Sequence, residues 1–529
     1  MKLFKTYPPI LFLIVSCGVS QKGNLKTDQK ADLFAKPENV LPVTGKFLFK
    51  SAAELASLIK RREATSEEIV KEFIANIKNN NHKYNAIVWL REEEALADAR
   101  KADEAVALGK ALSPLHGVPV TVKEEYWVKG GPVTLNSKMY KDFIAPDDGP
   151  LVKQLKKSGA IVLGKSNLPT LLMDFQTQGE LYPTASNPYD TTRTPGGSSG
   201  GAAAALAAGF TSIELGSDLG GSIRIPSSYC GLYGLKTTFG SLNTSEGDGA
   251  DTSSKKKRYA LNVAGPMART AEDLEAAWLV LRDAKPDPHL QKPIQWKEPS
   301  GRSLDKFRIG WVDEWKKADR SKVKVGSLVK DKLKSFIDSL KQHDVAIENT
   351  YPDIYYDEMM KSYMQCLALL AGEGASEEIK NVINKSMEPW DDGSGTLAPF
   401  FETMKNPDDA AWQQWQKENE NLKSKWSSYF KNFDFLICPI TYGPAVKKCP
   451  KGTPIFLDGD TISYFNYAPY TTVINPMEVP CITIPLGLNR EGLPIAVQII
   501  GSWYAEPELL YFAKLIRPLV SGFVKPVGL

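Results

Sequence analysis

Apolar and polar positions follow two different periods along this chain, and the switches between them mark its elements. Residues 51–108 carry the helical period. Ser51-Ala-Ala-Glu54 and Thr65-Ser-Glu-Glu68 each set a hydroxyl three residues ahead of a glutamate, so that side chains and backbone N–H groups can satisfy one another at a helix start. Each leads into an amphipathic run, and a third, charge-rich helix is expected from about Arg91 to Leu108. The period then drops to two. Val118, Val120 and Val122 fall on one face of a strand, with Lys123 on the opposite face at its end. Further strands are expected at Ala160–Leu163, Ile213–Leu215, Phe307–Val312, Val345–Ile347 and Asp434–Pro439, and within Val479–Pro485 and Gly492–Gly501. Helices are expected at Val325–Leu340, through residues 355–430, and from Glu506 onward. Strand, helix and strand over 307–347 form an α/β unit.

The stretch from Arg193 to Lys236 departs from both periods. It reads Pro195-Gly-Gly-Ser-Ser-Gly-Gly201, then an alanine run from Ala202, then Asp218-Leu-Gly-Gly-Ser-Ile-Arg224. The alanines favour a helix small enough to pack tightly against a sheet. Glycines let backbone approach where side chains cannot, and free N–H groups to converge on a ligand. A serine ending a Gly-Gly turn is then either a nucleophile beside an oxyanion hole or part of a plain tight turn or phosphate cradle. A Walker loop is excluded, because Gly-Lys-Ser/Thr is absent from this stretch.

Those two motifs, with Gly231-Leu-Tyr-Gly-Leu-Lys236, resemble the amidase signature family in order and spacing. That family includes fatty acid amide hydrolases, peptide amidases and the glutaminase subunit of tRNA amidotransferases. His116-Gly-Val-Pro-Val-Thr-Val-Lys123 is similar to another of its blocks, as are Ala264-Gly-Pro-Met-Ala-Arg-Thr270 and the strand segments after Asp434. The resemblance covers about residues 48–520. It implies an α/β fold: one large domain, here residues 47–525, with a mixed, twisted sheet covered by helices on both sides. It also implies a Ser–Ser–Lys triad, with Ser222 as nucleophile, Ser198 as bridging serine behind a cis peptide bond, and Lys123 as base. The N–H groups of Leu219, Gly220, Gly221 and Ser222 would bind the oxyanion. Ser199 would buttress the site, and Asp218 and Arg224 would form a supporting ion pair. A strand-end lysine is ordinarily solvated; as a base it must be neutral, which requires burial. Residues 355–430 would shape the substrate pocket, and Met173 to Gly179 would lie near the acyl site. Two departures from the pattern stand out: Glu124 where aspartate is commoner, and Glu478 where glycine is usual, which would alter the pocket wall.

Composition narrows the reading further. Lys and Arg number 65 against 62 Asp and Glu, which gives no electrostatic case for nucleic acid. The four histidines (82, 116, 289, 343) lie outside any Gly-rich context, against a Ser-His-Asp site, and His116 reads as a structural hydrogen-bonder. The six cysteines show no metal-ligand spacing, and no metal or cofactor is called for. The first 17 residues combine a basic start, a short apolar run (10–15) and Ile14-Val15-Ser16-Cys17, which looks like a lipobox, so cleavage before Cys17 and lipidation of its thiol are expected. Residues 18–46 read as a flexible tether. The expectation is an exported, lipid-anchored serine hydrolase of carboxylic amides in the cell envelope. Its alternatives are an ester-preferring hydrolase and a non-catalytic surface lipoprotein on the same scaffold.

Overall fold

A computed structural model describes residues 33–110, 112–244, 261–284, 294–373 and 375–529. The leader, Cys17 and the loop 245–258 lie outside the described residues. Eleven strands form one sheet. In chain order they are β1 (Ile87–Leu90), β2 (Pro119–Lys123), β3 (Ile161–Ser166), β4 (Ile213–Asp218), β5 (Tyr233–Lys236), β6 (Val263–Ala268), β7 (Arg308–Trp311), β8 (Ala346–Glu348) and β9 (Phe435–Pro439). A separate hairpin of β10 (Ile455–Leu457) and β11 (Asp460–Ile462) precedes β12 (Cys481–Leu488) and β13 (Pro494–Gly501). The spatial order is β1-β3-β2-β4-β6-β5-β12-β13-β9-β7-β8. β2 runs parallel to both β3 and β4, and β7 to both β8 and β9; the remaining pairs are antiparallel, so the sheet is mixed.

Both faces are covered, and the alternation along one strand shows how. In β9, Phe435 and Ile437 enter one apolar core, while Leu436 and Cys438 enter the other. All five residues of β9 are buried, as are all five of β2. The first core takes the opening helices, whose two capping boxes form as the sequence predicts, at Ser51/Glu54 and Thr65/Glu68. The second takes the helices Tyr356–Gly372 and Asp409–Tyr429.

The described part of the expected tether is not free. Leu33 is buried, and its carbonyl accepts from Asn81 Nδ2 at 2.9 Å. Asn79 bonds both the N–H and the carbonyl of Leu41, and Thr44 Oγ1 donates to Glu72 Oε2 at 2.7 Å. Residues 33–44 are thus strapped along the helix Ser66–Tyr84 by polar side chains, which a search for apolar periodicity does not register.

Two features of this topology make a site. Parallel pairing of β2 with β4, with Val122 opposite Leu215, brings Lys123 and Ser217 together at the carboxyl ends of adjacent strands. The helix Gly200–Ala207 then packs against them with every residue buried. That approach requires glycine: a Cβ on Gly201 would lie 2.3 Å from the backbone nitrogen of Asn167.

Candidate active site

Lys123 ends β2 fully buried. Its Nζ lies in hydrogen-bond contact with Ser198 Oγ at 2.7 Å and with Ser217 Oγ at 2.8 Å, and Glu125 Oε1 lies 3.3 Å away. Burial drives the amine below the ordinary lysine value, while the charge and hydrogen bond of Glu125 pull the other way; the net shift is downward. The peptide bond between Gly197 and Ser198 is cis.

The turn after β4 is built on Asp218. Its carboxylate accepts from Gly221 N–H at 2.8 Å and Ile223 N–H at 3.1 Å. It also takes Arg224 Nε at 3.0 Å and Arg224 Nη2 at 2.9 Å, a two-pronged pair with both side chains fully buried. Burial alone would raise the Asp218 carboxyl, but Arg224 outweighs it and holds the group well below the usual carboxylate range. Asn475 closes the cluster, bonding Asp218 and Arg224 together. The pair therefore fixes the backbone of residues 218–224. Gly221 stands at φ +120°, and a Cβ there would come within 2.4 Å of Thr471 Oγ1. Its N–H is already spent on Asp218, so of the four expected oxyanion donors only Leu219, Gly220 and Ser222 have no such side-chain acceptor among the described residues.

Ser199 contributes from beneath. Its N–H donates to the Ser222 carbonyl at 3.1 Å and its Oγ to the Ser217 carbonyl at 3.2 Å, which ties the two Gly-Ser turns together. Among the described residues no hydrogen bond joins the Ser198 and Ser222 hydroxyls directly. Both nevertheless line one cavity, with about 1150 Å³ of empty space including its mouth.

Most of that cavity is apolar. Met173, Phe175, Leu219 and Ile225 line it, as do Tyr363, Leu367, Leu370, Met387 and Trp390 from the helical region 355–430. Phe175 stacks on Tyr464 with ring centroids 4.3 Å apart, and Trp390 meets the same tyrosine edge-on at 5.3 Å. Leu171 and Leu172, also in the lining, hold φ of 54° and 64°, a left-handed backbone that leucine rarely adopts. The N–H of Leu171 is pinned to the Leu135 carbonyl at 2.9 Å. Asp174 is the one charged side chain of the lining among the described residues, and its carboxylate is engaged by Tyr464 OH at 2.6 Å and Gln178 Nε2 at 2.9 Å.

Other sequence expectations resolve into structural roles. Glu124 accepts from Thr134 Oγ1 at 2.8 Å and Leu135 N–H at 3.1 Å, anchoring the following loop. Glu478 does not line the cavity: it ends a short helical turn at φ 62°, the conformation that explains glycine at such a position, and its carboxylate pairs with Lys423 at 3.0 Å. Lys165 is buried and donates to the carbonyls of Glu124 and Pro132. His116 Nε2 pairs with the Ala102 carbonyl at 2.9 Å. Cys230, Cys366, Cys438 and Cys481 are buried free thiols, and Cys449 is a partly exposed one. The sequence pattern did not single out Ser217 or Glu125 as site residues. The signal was present, since Glu125 follows the lysine by two and Ser217 immediately precedes Asp218.

A profile of the amidase family matches residues 68–510. A glutamyl-tRNA(Gln) amidotransferase subunit from Prochlorococcus marinus (strain MIT 9211) is 31% identical over 492 residues, covering 87% of this chain and 95% of its own. Among solved structures, 6-aminohexanoate cyclic dimer hydrolase complexed with substrate superimposes with TM-score 0.73 at 23% identity, covering 90% of this chain and 98% of that one. Fatty acid amide hydrolase gives TM-score 0.74 at 21% identity, over 90% of this chain and 85% of that one. These structural matches establish the fold. The profile runs from the second capped helix into the last one and takes in the whole Gly-Ser stretch with Lys123; on that extent of match the chain belongs to the amidase family and is an amide-hydrolysing enzyme.

Proposed function

We propose that this enzyme hydrolyses amides of apolar carboxylic acids through Ser222, Ser198 and Lys123, and that it acts as an exported protein anchored by lipid on Cys17. One observation carries the catalytic reading: a fully buried amine lies 2.7 Å from the Ser198 hydroxyl, which shares a cavity with Ser222. Ser222 Oγ attacks the amide carbon while its proton passes to Ser198 Oγ, whose own proton passes to neutral Lys123. The N–H groups of Leu219, Gly220 and Ser222 stabilise the oxyanion; one such donor is worth roughly 10²–10³ in rate. When the C–N bond breaks, the proton returns through Ser198 to the leaving nitrogen. Water then attacks the acyl ester by the same relay and frees the acid. Catalytic hydrogen bonds are often loose before substrate binds, so the absent Ser198–Ser222 bond is compatible with this route.

The lining supports the substrate class. A free amino acid such as glutamine carries an α-carboxylate, and burying it without a cationic partner costs several kcal/mol, on the order of that for an unpaired buried ion. The cavity's lining offers no Lys or Arg among the described residues and presents aromatic and aliphatic walls instead. An apolar acyl or aryl group fits them. A panel of p-nitroanilides should therefore show medium-chain and aryl acyl anilides turned over at least about 10²-fold faster, by kcat/KM, than γ-glutamyl p-nitroanilide, which keeps the free α-carboxylate, as several buried methylenes at ~0.8 kcal/mol each imply. Equal rates would refute the apolar assignment. Faster turnover of matched p-nitrophenyl esters, after correction for their intrinsic reactivity, would favour the ester reading.

The anchor rests on the sequence of residues 1–17 alone. Wild-type protein expressed in a bacterial host should partition into the detergent phase and incorporate labelled palmitate, and Cys17→Ala should do neither. Wild-type protein free of label would remove the anchor.

A further inference from the structure

The carboxylate beside Lys123 has no role in the relay described above, and its geometry gives it one. After β2 the chain turns sharply, with Tyr126 N–H on the Lys123 carbonyl at 3.0 Å. The two successive glutamates are thereby sent to different tasks. Glu124 is consumed by the Thr134–Leu135 loop and Tyr182 OH. Glu125, with a side chain 12% exposed, accepts a hydrogen bond from Ser217 Oγ and lies 3.3 Å from Lys123 Nζ.

The sense of each bond follows from the donors available. An ionised carboxylate only accepts, so the single hydroxyl proton of Ser217 goes to Glu125. Ser217 Oγ can then only accept from Lys123. A neutral lysine has two N–H groups and one lone pair. With one N–H on Ser217 and the other facing Glu125, the lone pair is left facing Ser198, 2.7 Å away. When the amine is protonated, the third N–H occupies that place and the relay is blocked.

We propose that Glu125 is a positioning residue for Lys123: with Ser217 it takes up the N–H groups of the amine, directs the lone pair at Ser198, and by its charge sets the pH at which the site becomes active. The proposal rests on Lys123 being the base. The other charged groups around the amine do not duplicate this role. Asp218, at the end of β4, is neutralised by Arg224. Glu214, earlier on β4, is fully buried, with its carboxyl pushed up to about 8 by burial. Lys165, on β3, is directed at the Glu124 and Pro132 carbonyls.

The rate of labelling by a fluorophosphonate, measured against pH on the intact protein, tests this without knowledge of the substrate. A negative charge so close to the amine holds the proton on it, so removing the charge moves deprotonation to lower pH. Glu125→Gln keeps the size and a carbonyl acceptor for Ser217. It should shift the acid limb of the labelling profile down by about one pH unit, the low end of the shift an opposite charge within 4–6 Å produces. Ser217→Ala keeps the charge but loses the orienting bond; its acid limb should move by less than that of Glu125→Gln, and its plateau rate should fall about tenfold, the equivalent of one lost hydrogen bond. An unmoved or upward-shifted limb in Glu125→Gln, or an unchanged plateau in Ser217→Ala, would overturn the proposal. Lys123→Ala in the same assay separates the two levels. If it labels like wild type, the base assignment itself is wrong; if it loses labelling while the Glu125→Gln limb stays put, only the role of Glu125 falls.

Discussion

Ser222→Ala is expected to lower kcat by at least about 10⁴-fold and to abolish fluorophosphonate labelling while leaving the folded state intact. The size follows from the chemistry. Without the hydroxyl no acyl-enzyme forms, and what remains is the rate that oxyanion donors and binding give to attack by water. The intact fold follows from the geometry. The Ser222 side chain is only partly buried, at the cavity surface. The turn it sits on is held by Asp218 through Gly221, Ile223 and Arg224, none of which the substitution touches. The Ser199 bond to residue 222 goes to its backbone carbonyl, which alanine keeps. A change in unfolding free energy within about 0.5 kcal/mol is expected. Peptide mapping of wild-type protein should place the label on Ser222. Label on Ser198 or Ser217, or a Ser222→Ala variant within tenfold of wild-type kcat, would move the nucleophile elsewhere in the cavity.

What the sequence shows of this site is uneven, and the unevenness has physical causes. Lys123 and the two Gly-Ser turns are legible as a site only through the resemblance of their segments to family blocks: a lysine that ends an alternating valine strand is ordinarily solvated, and a Gly-Gly-Ser turn alone is equally a plain tight turn or a phosphate cradle. The helix Gly200–Ala207 is open to the residues themselves, since a run of alanines favours a helix small enough to pack against a sheet. β6 is not. Its sequence Val-Ala-Gly-Pro-Met-Ala carries no alternating apolar pattern, yet it pairs with both β4 and β5, and Pro266, which has no N–H to give, lies opposite Leu215. β4 runs three residues past the expected Leu215, because Gly216, Ser217 and Asp218 also pair with β6. Those three have little strand propensity of their own, and tertiary pairing overrides it. Polar attachments are the other blind spot. The Leu33–Thr44 strap hangs on Asn79, Asn81 and Glu72, and the Glu125–Ser217–Lys123 contacts join residues 92 and 94 positions apart. No local pattern encodes such partners. Glu478 illustrates a third limit: glycine at that position marks a left-handed backbone, and the side chain that replaces it points to Lys423 and not into the pocket wall.

Lys123→Ala is expected to cost about 10²–10⁴ in kcat/KM at neutral pH, the usual range for a positioned general base, and to recover part of that loss as pH rises. The base must be uncharged to work. Burial lowers the amine's pKa, so the neutral form appears at a lower pH than for a solvated lysine, and wild-type activity should climb through that shifted value and then level off. Without the amine there is no group to saturate. The plateau should give way to a continued rise toward alkaline pH, where hydroxide takes the proton from the relay. Truncation has a structural side as well. Lys123 is fully buried, and cutting back so large a core side chain costs about 2–5 kcal/mol for the cavity alone, so lost activity in the alanine variant confounds two effects. Lys123→Met separates them, because it fills much of the same volume without an amine and leaves Ser217 its bond to Glu125. If the methionine variant keeps a cooperative unfolding transition near that of wild type and loses the same rate and the same acid limb as the alanine variant, the loss belongs to the amine. If instead it turns over substrate as wild type does, with the limb in place, the proton leaves Ser222 by a route that does not pass through Lys123, and the 2.7 Å contact with Ser198 serves only to hold the turn.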